Sequence, residues 1–277
     1  MRLGHAWAGL RPGPHIMGIL NVTPDSFSDG GDMPDAAAAI ERGRRMIGEG
    51  AAILDIGAES TRPGAIPVSA QEQQRRVLPV IAALADAGVP LSVDTRNAET
   101  MARALDAGAA IVNDVSALAN DPAAAALVAA RGCPVILMHM RGNPTTMNGL
   151  AVYYDVAQEV VQELADRIAA AEAAGVMRSQ IAVDPGFGFA KRAAHSQELL
   201  RRLSLLLNLG CPIVAGLSRK GFVGKLAGVA DRKARGPASI AAGLVALSRG
   251  ASILRVHDVA QTVQAVRVWH ALADELA

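Results

Sequence analysis

The chain has 277 residues, of which 51% are hydrophobic and 19% are charged, and its formal net charge is +1. This length and apolar content suffice for one large core, and single-domain α/β barrels commonly have about 250 residues. A net charge so close to zero argues against a protein that binds nucleic acid through its phosphates. The sequence also lacks an uninterrupted apolar run of about 18 residues, which a membrane span would need.

The two cysteines, Cys133 and Cys211, have no metal-ligand spacing, and one pair does not make a disulfide framework. We expect both to be small, buried or half-buried residues in a reducing compartment. The N-terminal segment lacks the long apolar core of a signal peptide, so the expected location is cytoplasmic.

Short apolar runs alternate with longer helical patterns from end to end. The runs are nearly continuous, which is typical of parallel strands buried on both faces. Several helical patterns end at a glycine shortly before the next strand, as C-terminal caps do. The predicted strands are His15–Leu20, Ala52–Gly57, Pro90–Asp94, Ala110–Asn113, Pro134–Met138, Gln180–Asp184, Pro212–Gly216 and Ser252–Val256.

Eight strand–helix units predict the α/β class and a closed (β/α)₈ TIM barrel, as a single domain over residues 1–277. An open doubly wound sheet is the alternative, and it is disfavoured because no Gly-x-Gly-x-x-Gly turn follows the first strand. Two connections, Thr23–Pro34 and Ala58–Ser69, are long enough to indicate functional or mobile loops.

Polar residues collect at the carboxyl ends of the predicted strands, which meet at one mouth in a closed barrel. For Asp114 or Asp258 alone a helix cap is the favoured interpretation, but chance capping explains eight strands poorly. Hydrogen bonds to a planar heterocycle would suit Asp94, Asn113, Asp184 and Lys220. An anion site is indicated by Asn21, Arg62, Arg255 and His257. The pattern favours a heterocycle beside a diphosphate, with Mg²⁺ on the phosphates.

Other chemistries lack their sequence signatures. The chain has no Gly-x-Ser-x-Gly elbow, no plausible Cys–His pairing and no zinc spacing. It also has no Gly-x-x-x-x-Gly-Lys-Ser/Thr phosphate loop.

The strand ends carry a set of ordered motifs that covers nearly the whole chain. The motifs are MGILNVTPDSFSDGG at Met17–Gly31, DIGAESTRPG at Asp55–Gly64, SVDT at Ser92–Thr95, NDVS at Asn113–Ser116, LMHMRGNPTTM at Leu137–Met147, DPGFGFAK at Asp184–Lys191, GLSRKGFVG at Gly216–Gly224 and RVHDV at Arg255–Val259. In these motifs and their order the chain resembles the dihydropteroate synthase family.

The resemblance implies a pterin-binding TIM barrel of folate biosynthesis. Such an enzyme condenses (7,8-dihydropterin-6-yl)methyl diphosphate with p-aminobenzoate, giving 7,8-dihydropteroate and diphosphate. It also implies Mg²⁺ as cofactor, a homodimer, and neither a nucleic-acid nor a membrane partner. Sulfonamides mimic p-aminobenzoate and would be expected to compete with it.

The resemblance also implies the role of each site residue. Asn21 would be the metal ligand that holds Mg²⁺ on the diphosphate. The pterin ring would be bound by Asp94, Asn113, Asp184 and Lys220. The ring would be covered by Arg255, which with His257 and Thr61 would meet the diphosphate. The p-aminobenzoate pocket would be formed by Phe27, Arg62, Pro63, Gly188, Phe189 and Lys220. The implied catalytic residues are Asp94, Asp184, Lys220 and Arg255.

Two positions depart from the family pattern. Gly221 stands where the family often has a serine that touches the p-aminobenzoate carboxylate, and we expect backbone N–H groups of the following helix to carry that contact. Ala190 replaces a common glycine, for which we expect a small packing effect.

Several interpretations stay open at this point. His139 is favoured as structural, Glu59 could orient Arg62 or bind substrate, Asp184 could cap a turn, and Trp7 is expected to pack in the core. A catalytically inactive pterin-binding paralogue and a corrinoid-type pterin methyltransferase domain are the rival functions.

Overall fold

The computed structural model describes Trp7 and residues 13–22, 36–59 and 68–273. The described strands are β1 (His15–Asn21), β2 (Ile53–Gly57), β3 (Leu91–Asp94), β4 (Ile111–Asp114), β5 (Val135–Met138), β6 (Ile181–Asp184), β7 (Val214–Ala215) and β8 (Ile253–Val256). They are parallel and lie in the order β6-β5-β4-β3-β2-β1-β8-β7. A parallel bridge between Val183 and Ile213 joins the two ends of this sheet. The predicted (β/α)₈ barrel is therefore confirmed.

The described helices are α1 (Ala36–Gly48), α2 (Ala70–Leu84), α3 (Ala98–Asp106), α4 (Ala124–Arg131), α5 (Val156–Ala173), α6 (Ala193–Arg201), α7 (Gly221–Ala227), α8 (Gly236–Ser248) and α9 (Val259–Ala273). Short 3₁₀ turns cover Arg178–Gln180, Leu203–Leu209 and Lys233–Arg235. Two helices, α7 and α8, follow β7, one more than the prediction of one helix per strand. None of the described helices is long and apolar enough to cross a membrane.

The helices form where local signals and apolar spacing agree. Ser69 caps α2 by accepting from Glu72 N over 3.3 Å, and Asp155 caps α5 by accepting from Ala157 N over 3.1 Å. The stripe of α2 that includes Val77 and Leu84 is buried, as its spacing predicts. The helix α4 ends at Gly132, which has a left-handed backbone with φ +61°.

The seventh strand is shorter than the predicted Pro212–Gly216. Pro212 has no N–H to donate, although its carbonyl accepts from Val183 N over 2.9 Å. The carbonyl of Ile213 accepts from both Ser252 N and Ile253 N. The regular ladder therefore begins only at Val214.

A small apolar cluster fills the amino-terminal half of the barrel interior, and we call it the amino-end layer. Its members are Trp7, Met17, Ile53, Ile111, Ile136, Ala182, Val214 and Ile253. Trp7 is 2% exposed, so the packing interpretation is confirmed. Side chains two positions apart on a strand point to the same face. The residues two positions after those of the amino-end layer therefore also point into the barrel, nearer its carboxyl end. They make up the carboxyl-end layer, which includes Asp55, Asp94, Asn113, Asp184, Gly216 and Arg255.

A larger core lies between the outside of the barrel and the helices. Cys133 and Cys211 are unpaired and buried there, as expected. The connection Thr23–Pro34 lies outside the described residues, and of Ala58–Ser69 only the two ends are described.

Candidate active site

An arginine joins two buried carboxylates in the carboxyl-end layer. Arg255 Nε donates to Oδ2 of Asp55 over 2.6 Å, and its Nη2 donates to Oδ2 of Asp94 over 2.7 Å. Asn113 Nδ2 donates to the same oxygen of Asp55 over 3.0 Å. Asp55 thus joins Asn113 to Arg255, and Arg255 in turn joins Asp94 to them.

Asp55 has no role in the prediction, although it begins one of the motifs. Its side chain is fully buried, and the remaining oxygen, Oδ1, has no hydrogen-bond partner among the described residues. The signal that could have found it is an acid inside the apolar strand ILDIG. Since a buried carboxylate needs partners, that position indicates an internal cation.

Burial raises the pKa of two carboxyl groups of the layer, Asp94 and Asp184. Burial raises the pKa of Asp94 to about 7, against the opposing effect of Arg255, and the charge of Asp55 raises it further. Burial also raises the pKa of Asp184, while the N–H of Gly186 lowers it. Perturbed acids that converge in a barrel mouth are typical of a functional site.

Asp184 divides its two oxygens between a turn and the mouth. Oδ1 accepts from Gly186 N over 2.7 Å, so one oxygen of the carboxylate caps the turn that follows β6. Oδ2 lies on the inward side, 3.5 Å from where a Cβ on Gly216 would stand. Lys220 lowers the pKa of Asp184 through its positive charge, so these two predicted residues act on one another.

Lys220 lies against the turn that follows β6. Its Nζ is 4.3 Å from the centroid of the Phe189 ring, a cation–π distance. A Cβ on Gly188 would be 3.7 Å from Lys220 Cδ. The structure therefore brings together Gly188, Phe189 and Lys220, as the prediction requires.

His257 is held by a hydroxyl from the end of β7. Ser218 Oγ lies 2.9 Å from His257 Nδ1 and accepts from His257 N over 3.2 Å. The Ser218 hydroxyl is then free to donate its own proton to Nδ1, which leaves the ring proton on Nε2 as a donor. Burial lowers the pKa of His257 to about 2, and the charges of Arg219 and Arg255 add to this effect.

The two residues with capping interpretations differ. Asp114 accepts from Ser116 N over 2.7 Å and from Leu118 N over 3.0 Å, so it caps the turn after β4 and not a helix, because α4 begins only at Ala124. The carboxylate of Asp258, the residue that follows His257 in the chain, instead pairs with Arg219.

Asn21, the predicted metal ligand, is the last residue of β1. It is half-buried and is paired in register with Gly57.

Glu59 takes a role that the prediction did not contain. Its Oε1 accepts from Val68 N over 3.2 Å and from Arg96 Nη2 over 3.1 Å. It therefore links the residues that flank segment 60–67.

His139 is structural, as favoured, because its ring nitrogens contact Lys191 and Glu163.

The two departures from the motif lie near one another in the fold. Gly221 begins α7, and a Cβ there would meet nothing within 4 Å, so the position would accept a serine. Ala190 is fully buried with φ +46°, a left-handed backbone. Besides the expected packing effect, this backbone conformation costs alanine about 1 kcal/mol, a cost that a glycine at position 190 would not incur.

Four residues predicted to contact substrate, namely Phe27, Thr61, Arg62 and Pro63, lie outside the described residues. Within the part of the chain that the structure describes, no group of three His, Cys, Asp or Glu side chains could hold a metal ion.

Comparisons with known proteins agree with this geometry. The family model described as pterin binding enzyme matches residues 17–257. A dihydropteroate synthase of Escherichia coli strain K12 is 45% identical over 259 residues, which cover 93% of this chain and 91% of the relative.

Two solved structures of dihydropteroate synthase from Xanthomonas albilineans are also similar. The structure with 4-aminobenzoic acid has a TM-score of 0.90 and 49% identity, covering 95% of this chain and 94% of that one. The structure in complex with 7,8-dihydropteroate has a TM-score of 0.86 and 46% identity over the same shares. On this sequence and structural similarity, the chain belongs to the pterin binding enzyme family, among the dihydropteroate synthases.

Proposed function

We infer that this chain condenses (7,8-dihydropterin-6-yl)methyl diphosphate with p-aminobenzoate to form 7,8-dihydropteroate and diphosphate. One observation carries the inference: Asp94, Asn113, Asp184 and Arg255 converge in a single barrel mouth. Relatives at 45–49% identity over nearly the whole chain have this activity by name.

The pterin ring would lie in the carboxyl-end layer. A pterin presents N–H donors along one edge, and the carboxylates of Asp94 and Asp184 are suited to accept from them. Asn113 is held in place by its bond to Asp55. Arg255 is held by two carboxylates, and its planar guanidinium would stack on the ring.

The diphosphate would lie between His257, Arg255 and the end of β1. The tautomer favoured by Ser218 gives His257 an Nε2–H that can donate to a phosphate oxygen. Asn21 offers one amide oxygen, a donor that fits Mg²⁺ carried mainly by phosphates and water. When bound, Mg²⁺ would neutralise charge on the diphosphate.

The reaction then needs one bond to break and one to form. The carbon–oxygen bond between the pterin methylene and the diphosphate breaks, and its electron pair leaves on the diphosphate. The arylamine nitrogen gives its lone pair to the methylene carbon and releases one proton. Asp94 and Asp184 would stabilise positive charge on the dihydropterin as the leaving group departs.

The p-aminobenzoate would lie against Phe189, Gly188 and Lys220. Its ring could stack near Phe189 while Lys220 faces it with a positive charge. The roles of Thr61, Arg62, Pro63 and Phe27 rest on the family resemblance alone. Sulfonamides, as mimics of p-aminobenzoate, would compete in the same place.

The decisive measurement is diphosphate release from the dihydropterin diphosphate with Mg²⁺, with and without p-aminobenzoate, while dihydropteroate is followed by mass. Release that depends on p-aminobenzoate, together with product, supports the synthase. Tight pterin binding without product would instead support an inactive paralogue. Omitting Mg²⁺ in a parallel assay tests the proposed metal.

We also propose a homodimer in the cytoplasm. The helix α8 has no charged residue from Gly236 to Ser248, and its Val245 is 43% exposed. An uncharged surface helix favours coverage by a second copy. Val245→Glu should shift the sedimentation coefficient towards the monomer, whereas Met177→Glu, at a position that is 60% exposed, should not.

A further inference from the structure

A buried lysine lies beneath the turn that follows β6, and the reaction outlined above does not use it. Lys191 is 8% exposed. Its Nζ lies 2.7 Å from His139 Nδ1, and it donates to the carbonyls of Gly186 and Phe189 over 3.1 Å each. Burial lowers the pKa of Lys191 to about 7, and its charged form has three N–H donors that match these three acceptors.

The turn above this ammonium has an unusual backbone. Gly186, Gly188 and Ala190 all have positive φ, at +67°, +79° and +46°. Gly186 is pressed against β5, since a Cβ there would lie 2.0 Å from His139 O. Glycine adopts this conformation freely, but Ala190 keeps a left-handed backbone only where its surroundings hold it in place. The bonds from Lys191 to two carbonyls of this turn are such a constraint.

The lysine is itself anchored from the other side. His139 Nε2 lies 3.0 Å from Glu163 Oε2, and because a carboxylate only accepts, the ring proton lies on Nε2 and leaves Nδ1 as the acceptor for Lys191. Glu163 in α5 also pairs with Arg141. Burial lowers the pKa of His139 to about 4, and the charge of Lys191 lowers it further, so the imidazole is neutral at physiological pH.

The turn carries the residues proposed to meet p-aminobenzoate. The Phe189 carbonyl is bound by Lys191, and the Phe189 ring faces Lys220 Nζ at 4.3 Å. We propose that Lys191 is a positioning residue for the arylamine subsite, which acts by fixing the Gly186–Phe189 turn and hence the Phe189 ring. The proposal rests on the proposed function, because it concerns the second substrate of that reaction.

The proposal predicts an effect on one substrate and not on the other. Asp184 is fixed by the pairing of β6 with β5 as well as by its bond from Gly186 N, whereas the Phe189 carbonyl is bound by Lys191 itself. Loss of Lys191 should therefore change the arylamine subsite much more than the pterin site. Lys191→Met keeps the apolar stem and removes all three donors. We expect it to raise the KM for p-aminobenzoate roughly tenfold or more, with kcat and the KM for the dihydropterin diphosphate within about threefold.

Two variants separate positioning from a general loss of stability. Lys191→Gln keeps two N–H donors without the charge, and should give an intermediate KM for p-aminobenzoate. It also serves as the test if Lys191→Met does not fold. Ile168→Val, in the buried face of α5, should lower the melting temperature and leave both KM values unchanged.

Steady-state kinetics with both substrates varied decides the matter. The proposal is overturned if both KM values rise together or if neither rises more than about threefold. It is also overturned if Ile168→Val raises the KM for p-aminobenzoate alone. Failure of the proposed function looks different, because then the wild-type chain would form no product that depends on p-aminobenzoate.

Discussion

The two layers of the barrel interior are built from the same strands and have opposite chemistry. In the amino-end layer Ile53, Ile111 and Ile253 belong to one apolar cluster with Trp7. Two residues further along, about 6.6 Å by strand geometry, the same strands carry Asp55, Asn113 and Arg255. The first layer buries apolar surface, whereas the second buries charges that bind one another. Stability and function are therefore separated along the barrel axis.

The largest expected effect comes from neutralising one acid of the carboxyl-end layer. Asp184→Asn keeps an oxygen for Gly186 N but loses the charge that the pterin would meet. We expect kcat/KM for the dihydropterin diphosphate to fall about a thousandfold, or roughly 4 kcal/mol. Initial rates and thermal unfolding would check this. A loss below about fivefold at full stability would remove Asp184 from the pterin site.

A substitution in the amino-end layer should lower stability and leave kcat/KM unchanged. Ile136 is fully buried beside Ala182, and Ile136→Ala should lower the free energy of unfolding by about 3 kcal/mol. Urea unfolding measures the loss, with Ile136→Val as the milder control. At a temperature where the variant is folded, kcat/KM should match the wild type. A selective loss of kcat/KM would mean that the two layers are not separate.

A smaller effect should come from the pKa of Asp94, which burial raises to about 7. As pH rises through this value the carboxyl loses its proton and becomes a full acceptor for a pterin N–H. We expect kcat/KM for the dihydropterin diphosphate to rise about tenfold between about pH 6 and pH 8. Asp94→Asn, which cannot titrate, is the control. If its profile has the same shape, the titration belongs to another group.

The smallest effect concerns a polar atom at the level of the apolar layer. Ser92 is fully buried on β3, and its Oγ has no hydrogen-bond partner among the described residues. Ser92→Ala should raise the free energy of unfolding by about 1 kcal/mol, because an unsatisfied hydroxyl is removed. Ser92→Thr, which keeps the hydroxyl, should not. Destabilisation by the alanine would indicate that Ser92 supports Asp94 above it.

Much of the site was predictable because each residue ends an apolar strand. Asp94, Asn113 and Asp184 needed only the rule that strand ends of a barrel meet. Asp55 was missed because it lies within its strand, where the sequence indicates a buried cation as partner but does not say which residue supplies it. Glu59 was left open because its partners, Arg96 and Val68, come from other parts of the chain. Contacts of that kind depend on the fold and leave no local pattern.

The sequence by itself determined the number and order of the strands, the barrel, and which strand ends carry polar residues. These follow from apolar periodicity and glycine positions, which act over short distances along the chain. Only the tertiary structure decided that Arg255 binds Asp55 and Asp94, and that Lys191 supports the turn of Phe189. It also showed that Ala190 is conformationally strained. Burial and long-range contact set these properties, because a charge removed from water is stabilised by whichever partners the fold brings to it.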